Sequence, residues 1–404
     1  MEIEKILPEI IQKNDKKLLL VVLDGLGGLP DPNTGLTELE TAKIPNLHSF
    51  AKRGTCGLTI PVFHGVTPGS GPAHLSLFGY DPVEHQIGRG VLESLGIGRH
   101  LNREDLAIRG NFATIDEKRI VTDRRAGRIS TEENQRLVSL ISENIKEIKG
   151  IEISIWTVKE HRCAVILKGK DLSPLITEND PEKEGLPIEK TEPLSNEGKF
   201  TAGVLEEFIK QVEYLLKKHE TKAKTILLRG FSKIPQIRTF EEKYLLKSVC
   251  IASYPMYKGL SKLVGMDVIE GLETFHDRIN ALMDYYKNYD FFYFHYKKTD
   301  SAGEDGNFEK KVSFLEDFDE KLPEILKLKF EAIAIAGDHS TPSVLKGHSW
   351  HPVPISIVSP NIMPDDVEKF TERTCGKGLM GTFPAINVMY ILLAASLKMK
   401  KFGA

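Results

Sequence analysis

Three short runs of unbroken apolar residues stand out from an otherwise mixed chain: LLLVVL (18–23), FFYFHY (291–296) and AIAIA (332–336). None alternates with polar residues as a half-exposed strand does, so each predicts a strand buried on both faces of a mainly parallel sheet. Helical periodicity follows, for example NFEKKVSFLEDFDEKLPEILK (307–327). Strand and helix in alternation predict an α/β core with helices flanking the sheet.

The middle of the chain reads differently. IEISIWTV (151–158) and CAVILKG (163–169) are β-like, a polar loop occupies 177–199, and GVLEEFIKQVEYLLKKH (203–219) has helical spacing. Mixed elements of this kind predict a smaller α+β domain over 105–254, inserted into a core built from 1–104 and 255–404. The apolar stretch FPAINVMYILLAASL (383–397) contains Pro384 and Asn387 and is too short to span a bilayer, which predicts a buried C-terminal helix.

Composition narrows the function. With 404 residues, 27% of them charged, and a formal net charge of −3, no basic surface dominates, so nucleic acid is not an expected partner. The four cysteines are widely spaced and form no CxxC pair, and MEIEKILPEI carries no signal-peptide pattern. A reduced, cytoplasmic chain without a membrane partner is the expectation.

Each apolar run leads to an aspartate: Asp24, Asp300 and Asp338. Ligands of open α/β sheets collect beyond the carboxyl ends of the strands. Clustered carboxylates there must take up protons or hold a cation. His339 and His348 flank a turn marked by TP, and a mixed Asp/Glu/His set suits Mn, Zn, Co or Fe better than calcium. The plainer alternative makes each aspartate a cap or turn residue. Glu304 joins Asp300 as a candidate ligand, whereas Asp305 and Glu309 are expected to face solvent at the start of the next helix. A second signal is GVTPGSGPAHLSLFGYDP (65–82), where Ser70 is expected just ahead of a helix N-terminus. That position suits a phosphate or a nucleophile that becomes phosphorylated, and it equally suits an ordinary N-cap.

The ordered string LDGLGGLPDPNTGLTELETAKIPNLHSFAKRGTCG (23–57), GSGPAHLSLFGYDP (69–82), IGRG (87–90), GNFATID (110–116), DRRAGRI (123–129), KLVGM (262–266), HYKKTD (295–300) and GDHSTP…GHSWHPVP (337–354) resembles the archaeal-type cofactor-independent phosphoglycerate mutases of the alkaline phosphatase superfamily. The resemblance runs through nearly the whole chain. It implies a phosphatase-like core with two divalent metals, a serine nucleophile that passes through phosphoserine, no 2,3-bisphosphoglycerate, and an inserted lid domain. Carried over by residue, Asp24, Ser70, Asp338 and His339 surround one metal, with Asp300 and His348 on the other. Manganese is the expected metal, with Mg, Co, Fe and Zn as alternatives.

Two positions depart from the family pattern. Glu304 stands where a histidine four residues after Asp300 is expected, which favours harder ions over zinc. GSGP replaces the usual acidic residue and threonine after the serine. From DRRAGR, Asp123 and Arg124 are expected in catalysis, and Arg124, Arg125 and Arg128 in gripping phosphoglycerate, since guanidinium forks match carboxylate and phosphate. Lys297 and His74 are further substrate candidates, with Arg89 and Arg229 behind them. A phosphomonoesterase or phosphotransferase of the same superfamily, or a non-catalytic metal-binding relative, would carry much of the same signal.

Overall fold

The computed structural model describes residues 3–403, which divide into two compact units. One comprises 3–86, 237–254 and 261–403, and the other 87–236 and 255–260.

The larger unit is built on an eight-stranded sheet. Its strands run, edge to edge, Asp267–Val268, Ser248–Ile251, Phe291–Tyr296, Leu18–Leu23, Ala332–Ala336, Val353–Val358, Thr55–Ile60 and Gly381–Pro384. Only Val353–Val358 runs against the others. The three apolar runs are therefore strands, as expected, and they are the three neighbours at the centre of the sheet. Every residue of all three is buried. Their register sets Leu23 opposite Tyr296 and Val22 opposite Ala336, so the chain leaves all three strands at one level of one edge. Leu19, Val21, Phe292, Phe294, Ile333 and Ile335 pack with Leu315, Phe318 and Leu322 of the helix Phe308–Ile325, the amphipathic segment expected at 307–327.

Sequence expectations shift in three places here. Phe291–Tyr296 leads through Lys297 directly into a helix, Lys298–Glu304, so Asp300 and Glu304 lie one helical turn apart. Asp305 is the C-cap of that helix rather than the start of the next, while Glu309 does sit in the first turn of Phe308–Ile325. The C-terminal apolar stretch is a helix only over Val388–Ala395, because Gly381–Pro384 extends the sheet beside Thr55–Ile60. Pro384 is tolerated there because an edge strand leaves one row of N–H groups unpaired.

The smaller unit is an antiparallel sheet of six strands. Leu106–Ile115 is central, pairing with Val121–Asp123, Arg162–Lys168 and Thr225–Ser232, and Ile151–Lys159 continues the sheet to Glu147–Ile148. Helices Thr131–Asn144 and Gly198–Lys217 cover one face through Leu137, Ile141, Leu205, Phe208 and Val212. The second helix begins five residues before the periodicity starts at 203. The helix Arg89–Gly96 packs Val91 against Ala107 and Ile166 on the opposite face. That contact assigns 87–104 to this unit, and the sheet pairing of Ser248–Ile251 assigns 237–254 to the other. The division thus falls at residues other than the 105–254 expected.

Phe208 is fully buried at the centre of this small core. Phe208→Ala should cost about 3–5 kcal/mol of stability, measured by urea unfolding. A Cβ on Gly90 would lie 2.3 Å from the Ala107 carbonyl oxygen, a backbone atom that cannot swing aside, whereas one on Gly347 would meet nothing within 4 Å. Gly90→Ala should therefore lose about 1–3 kcal/mol in the same experiment. Gly347→Ala should stay within about 0.5 kcal/mol of the parent.

Candidate metal and phosphoryl-transfer site

The level ends of the three central strands bring three carboxylates together in the larger unit. Asp24 follows Leu23 immediately, and its backbone N–H donates to the Tyr296 carbonyl at 2.9 Å. The chain must then turn sharply. Gly25 has φ 65°, and a Cβ there would sit 2.5 Å from Thr341 Oγ1 and 2.8 Å from the Asp300 Cα, so only glycine fits. Its N–H donates to Asp338 Oδ1 at 3.0 Å, and Thr299 Oγ1 donates to the Asp24 carbonyl. Behind these loops Lys311, itself buried, donates to the carbonyls of Gly27 at 3.0 Å and Thr341 at 2.9 Å. One ammonium thereby ties the loop after Asp24 to the loop after His339.

Two sets of potential ligands result. Asp24, Asp338 and His339 offer atoms within 4.8 Å of one another, and so do Asp300, His339 and His348. His339 belongs to both, beyond its expected place with Asp24, Ser70 and Asp338, and its ring stacks on His348 at 3.7 Å. Ser70 Oγ lies 3.1 Å from His339 Nε2. Ser70 is the first residue of the helix Ser70–Leu77 and Gly69 is its N-cap, so the serine sits inside the first turn rather than ahead of it. The partner of its hydroxyl is an imidazole nitrogen from outside the helix, not a backbone N–H of the first turn. The N-cap alternative for Ser70 is thereby set aside. Glu304 stands farther out, with Oε1 3.7 Å from His348 Nε2 and a side chain 55% exposed.

Charge is balanced from within. Lys297 Nζ lies 3.1 Å from Asp24 Oδ2 and 2.5 Å from Asp300 Oδ2, spanning the two sets. Burial works to raise the Asp24 pKa, yet Lys297, His295 and His339 hold it well below the usual carboxylate range. Burial lowers the His348 pKa, but the hydrogen bond and charge of Asp300 push it up to about 9. His295 Nε2 is 3.1 Å from Asp24 Oδ2, and burial takes its imidazole down to about 4. His74, expected at the substrate, is fully buried instead, with Nδ1 2.9 Å from the Ser70 carbonyl and 3.2 Å from Asp338 Oδ2. It supports the site from beneath.

The residues present fit divalent ions. Asp338 Oδ2 is buried without a hydrogen bond, and the sets mix carboxylate oxygen with imidazole nitrogen, the donors that Mn, Fe, Co and Zn share. Sequence reasoning missed His295, Thr299 and Thr341. The signal for His295 was its place as the lone imidazole in a fully buried strand. Thr341 Oγ1 donates to Asp300 Oδ1 at 2.7 Å and lies 3.0 Å from His339 Nδ1, which fixes the orientation of both.

The DRRAGR residues belong to the smaller unit. Asp123 uses both carboxylate oxygens on the turn, accepting from the N–H groups of Arg125 and Gly127 at 2.7 Å each. Arg124 is locked by a fork to Asp180, with Nε at 2.9 Å and Nη2 at 2.7 Å. Arg229 is held by Glu178, Asp180 and Glu182. Arg125 and Arg128 are exposed. Arg89 opens its helix and makes no ion pair among the described residues.

Comparison with known proteins converges on one family. A family model described as 2,3-bisphosphoglycerate-independent phosphoglycerate mutase matches residues 51–222. A curated relative from Aquifex aeolicus, named a probable 2,3-bisphosphoglycerate-independent phosphoglycerate mutase, is 52% identical over 99% of this chain and 100% of its own. One of the same name from Thermus thermophilus is 47% identical over the full length of both. Among solved structures, a Pyrococcus horikoshii protein superposes with a TM-score of 0.83 at 31% identity, covering 97% of this chain and 100% of that one. The cofactor-independent phosphoglycerate mutase of Thermoplasma acidophilum does so with a TM-score of 0.67 at 30% identity, covering 94% and 100%. With the strand-end carboxylates and the helix-borne serine in place, this chain belongs to the 2,3-bisphosphoglycerate-independent phosphoglycerate mutases.

Proposed function

We propose that the protein interconverts 3-phosphoglycerate and 2-phosphoglycerate through a phosphoserine at Ser70. The observation that carries this reading is the Ser70 hydroxyl, 3.1 Å from His339 Nε2 and at the first residue of a helix whose N–H groups favour an anion. Asp24, Ser70, Asp338 and His339 would hold one divalent ion, and Asp300, Glu304 and His348 the other, with manganese favoured over Mg, Co, Fe and Zn. Bound there, the ions supply Lewis-acid charge for the serine hydroxyl and the phosphoryl oxygens.

The residues of the chain divide the remaining work. Ser70 Oγ forms a bond to phosphorus as the ester oxygen of the substrate leaves, and the hydroxyl proton passes to that oxygen. The freed glycerate turns, its other hydroxyl attacks the same phosphorus, and Ser70 regains a proton. Lys297, between Asp24 and Asp300, neutralises charge beside the phosphoryl oxygens. The smaller unit acts as the lid that keeps water out while glycerate turns, since exposed phosphoserine would be hydrolysed. Asp123 and Arg124 support it by shaping the arginine turn. No helix among the described residues is long and apolar enough to cross a membrane, and a cytoplasmic place fits the reaction.

Incubating the purified protein with 3-phosphoglycerate and Mn²⁺ should give 2-phosphoglycerate by phosphorus NMR, and Ser70→Ala should lower the rate by a factor on the order of a thousand or more. Inorganic phosphate as sole product would replace the mutase with a hydrolase. Chelation should abolish turnover and lower the melting temperature, both restored by Mn²⁺. Glu304→His should keep turnover but shift preference from Mn²⁺ towards Zn²⁺, read by titrating each metal into the stripped protein. Unchanged preference would remove Glu304 from the ligand set.

A further inference from the structure

Three charged side chains stand behind the two loops that carry Asp24 and His339. Lys311 projects from the helix Phe308–Ile325, Glu38 opens the short helix Glu38–Thr41, and Glu372 opens the short helix Glu372–Cys375. Lys311 and Glu38 are wholly buried. All three belong to the larger unit, and none is a member of either ligand set.

Together they take up the backbone of both loops. In the loop after Asp24, the Gly27 carbonyl accepts from Lys311 Nζ, and the Gly28 N–H donates to Glu372 Oε1 at 2.8 Å. In the loop after His339, the Thr341 carbonyl accepts from Lys311 Nζ, and the Ser343 N–H donates to Glu38 Oε1 at 2.9 Å. The loops also meet directly, the Thr341 N–H donating to the Gly27 carbonyl at 3.0 Å. Glu372 Oε2 accepts from Thr37 Oγ1 at 2.7 Å, and Thr37 is the N-cap of the helix that begins with Glu38. Each loop is thereby held by one carboxylate of its own and by an ammonium common to both.

The charges are close together. Lys311 Nζ lies 3.8 Å from Glu38 Oε1, and Glu38 Oε2 is buried without a hydrogen bond. A Cβ added to Gly28 would collide with Glu38 Oε2 and stand 3.4 Å from Glu372 Oε1, so the two carboxylates close on one point of the loop. Two carboxylates and one ammonium leave a negative charge in excess, and burial makes that excess costly. Burial accordingly raises the Glu372 pKa to about 7, against the opposing pull of Thr37, its own N–H, that of Gly28, and Lys311. Glu372 faces Glu38 and Lys311 from neighbouring helices and Cys375 on its own, while Arg373 is engaged by Glu40.

We propose that Glu38, Glu372 and Lys311 are positioning residues for the metal ligands, holding the loops of Asp24 and His339 in register from behind. The cluster is electrically neutral when Glu372 carries a proton. The proposal rests on the reading of Asp24, Asp338 and His339 as ligands. Buried ion pairs seldom add stability over apolar side chains of the same size, so stability alone does not explain three charges here. The direction they impose on four backbone groups does. Loss of contacts that orient ligands costs roughly ten- to a hundredfold in metal affinity.

The test uses the full chain, stripped of metal and titrated with Mn²⁺ by calorimetry. Lys311→Met combined with Glu38→Gln removes one charge of each sign, so the net charge behind the site is kept and the positioning is lost. Mn²⁺ binding should weaken roughly tenfold or more. The same exchange on the exposed pair of that helix, Lys321→Met with Glu320→Gln, should leave it unchanged. At saturating Mn²⁺ the kcat of the buried double variant should return towards the parent's, a split that general damage to the fold would not give. If the double variant does not fold, Glu372→Ala carries the test at about pH 6, where the lost carboxyl is uncharged; it should weaken Mn²⁺ binding and Glu372→Gln should restore it.

The proton has its own readout. The unfolded chain releases it near 4.5 and the folded chain near 7, so the stability this group supplies falls as pH rises through that window and stays lower above it. Gln cannot titrate. The melting temperature of Glu372→Gln should match the parent's at the bottom of the window and exceed it by several degrees above the top. Parallel melting profiles would overturn the neutral cluster. Parental Mn²⁺ affinity in the positioning variants, with Mn²⁺ bound by the parent, would overturn the positioning role and leave the metal reading standing. A parent that binds no Mn²⁺ would bring down the metal reading, and the positioning role with it.

Discussion

Asp24, Asp300 and Asp338 are buried carboxylates gathered beyond three adjacent strand ends, and their mutual repulsion is what the surrounding residues are arranged to offset. Burying several like charges is tolerable only beside cations or metal ions. Lys297 supplies one positive charge to both Asp24 and Asp300, and His348 is driven towards its charged form by Asp300. The strand register decides the location. Parallel neighbours in step must deliver their next residues to one edge, and the apolar runs that fix the register are those that fill the core.

Precision comes from a second layer of contacts behind the ligands. Gly25 lets the backbone approach Asp300, Thr341 orients Asp300 and His339 together, and Lys311 ties two ligand-bearing loops from behind. These contacts restrict each ligand to a narrow geometry before any ion arrives, which lowers the ordering cost of binding.

Much of this was legible because burial on both faces leaves a continuous apolar run, and such runs point to their own ends. The three strands, their aspartates and the His339–His348 pair follow from that logic. His295, Thr299 and Thr341 did not, because second-layer roles depend on partners distant in sequence. His295 meets Asp24 across adjacent strands, and no local pattern marks that pairing. Domain limits were obscured for a similar reason: Arg89–Gly96 and Ser248–Ile251 are ordinary segments whose allegiance is set only by what they pack against. Arg124 shows the converse failure. A motif marks a residue type, but the Asp180 that occupies its fork lies far along the chain in an unremarkable polar loop.

The insertion of the smaller unit between Gln86 and Ile237 also orders events at the ribosome. Asp24 and Ser70 emerge early, but the strand that must lie beside Leu18–Leu23 is made only after the whole second unit. Nearly all of that unit, 87–236, is contiguous and has its own core, so it can collapse while the first apolar strand still waits for its neighbours. Until Phe291–Tyr296 and Ala332–Ala336 appear, LLLVVL is a nascent strand with both edges open, the condition that invites pairing with other chains. The architecture that assembles the catalytic edge from distant segments therefore leaves the N-terminal strand open to such pairing until the last third of the chain is made.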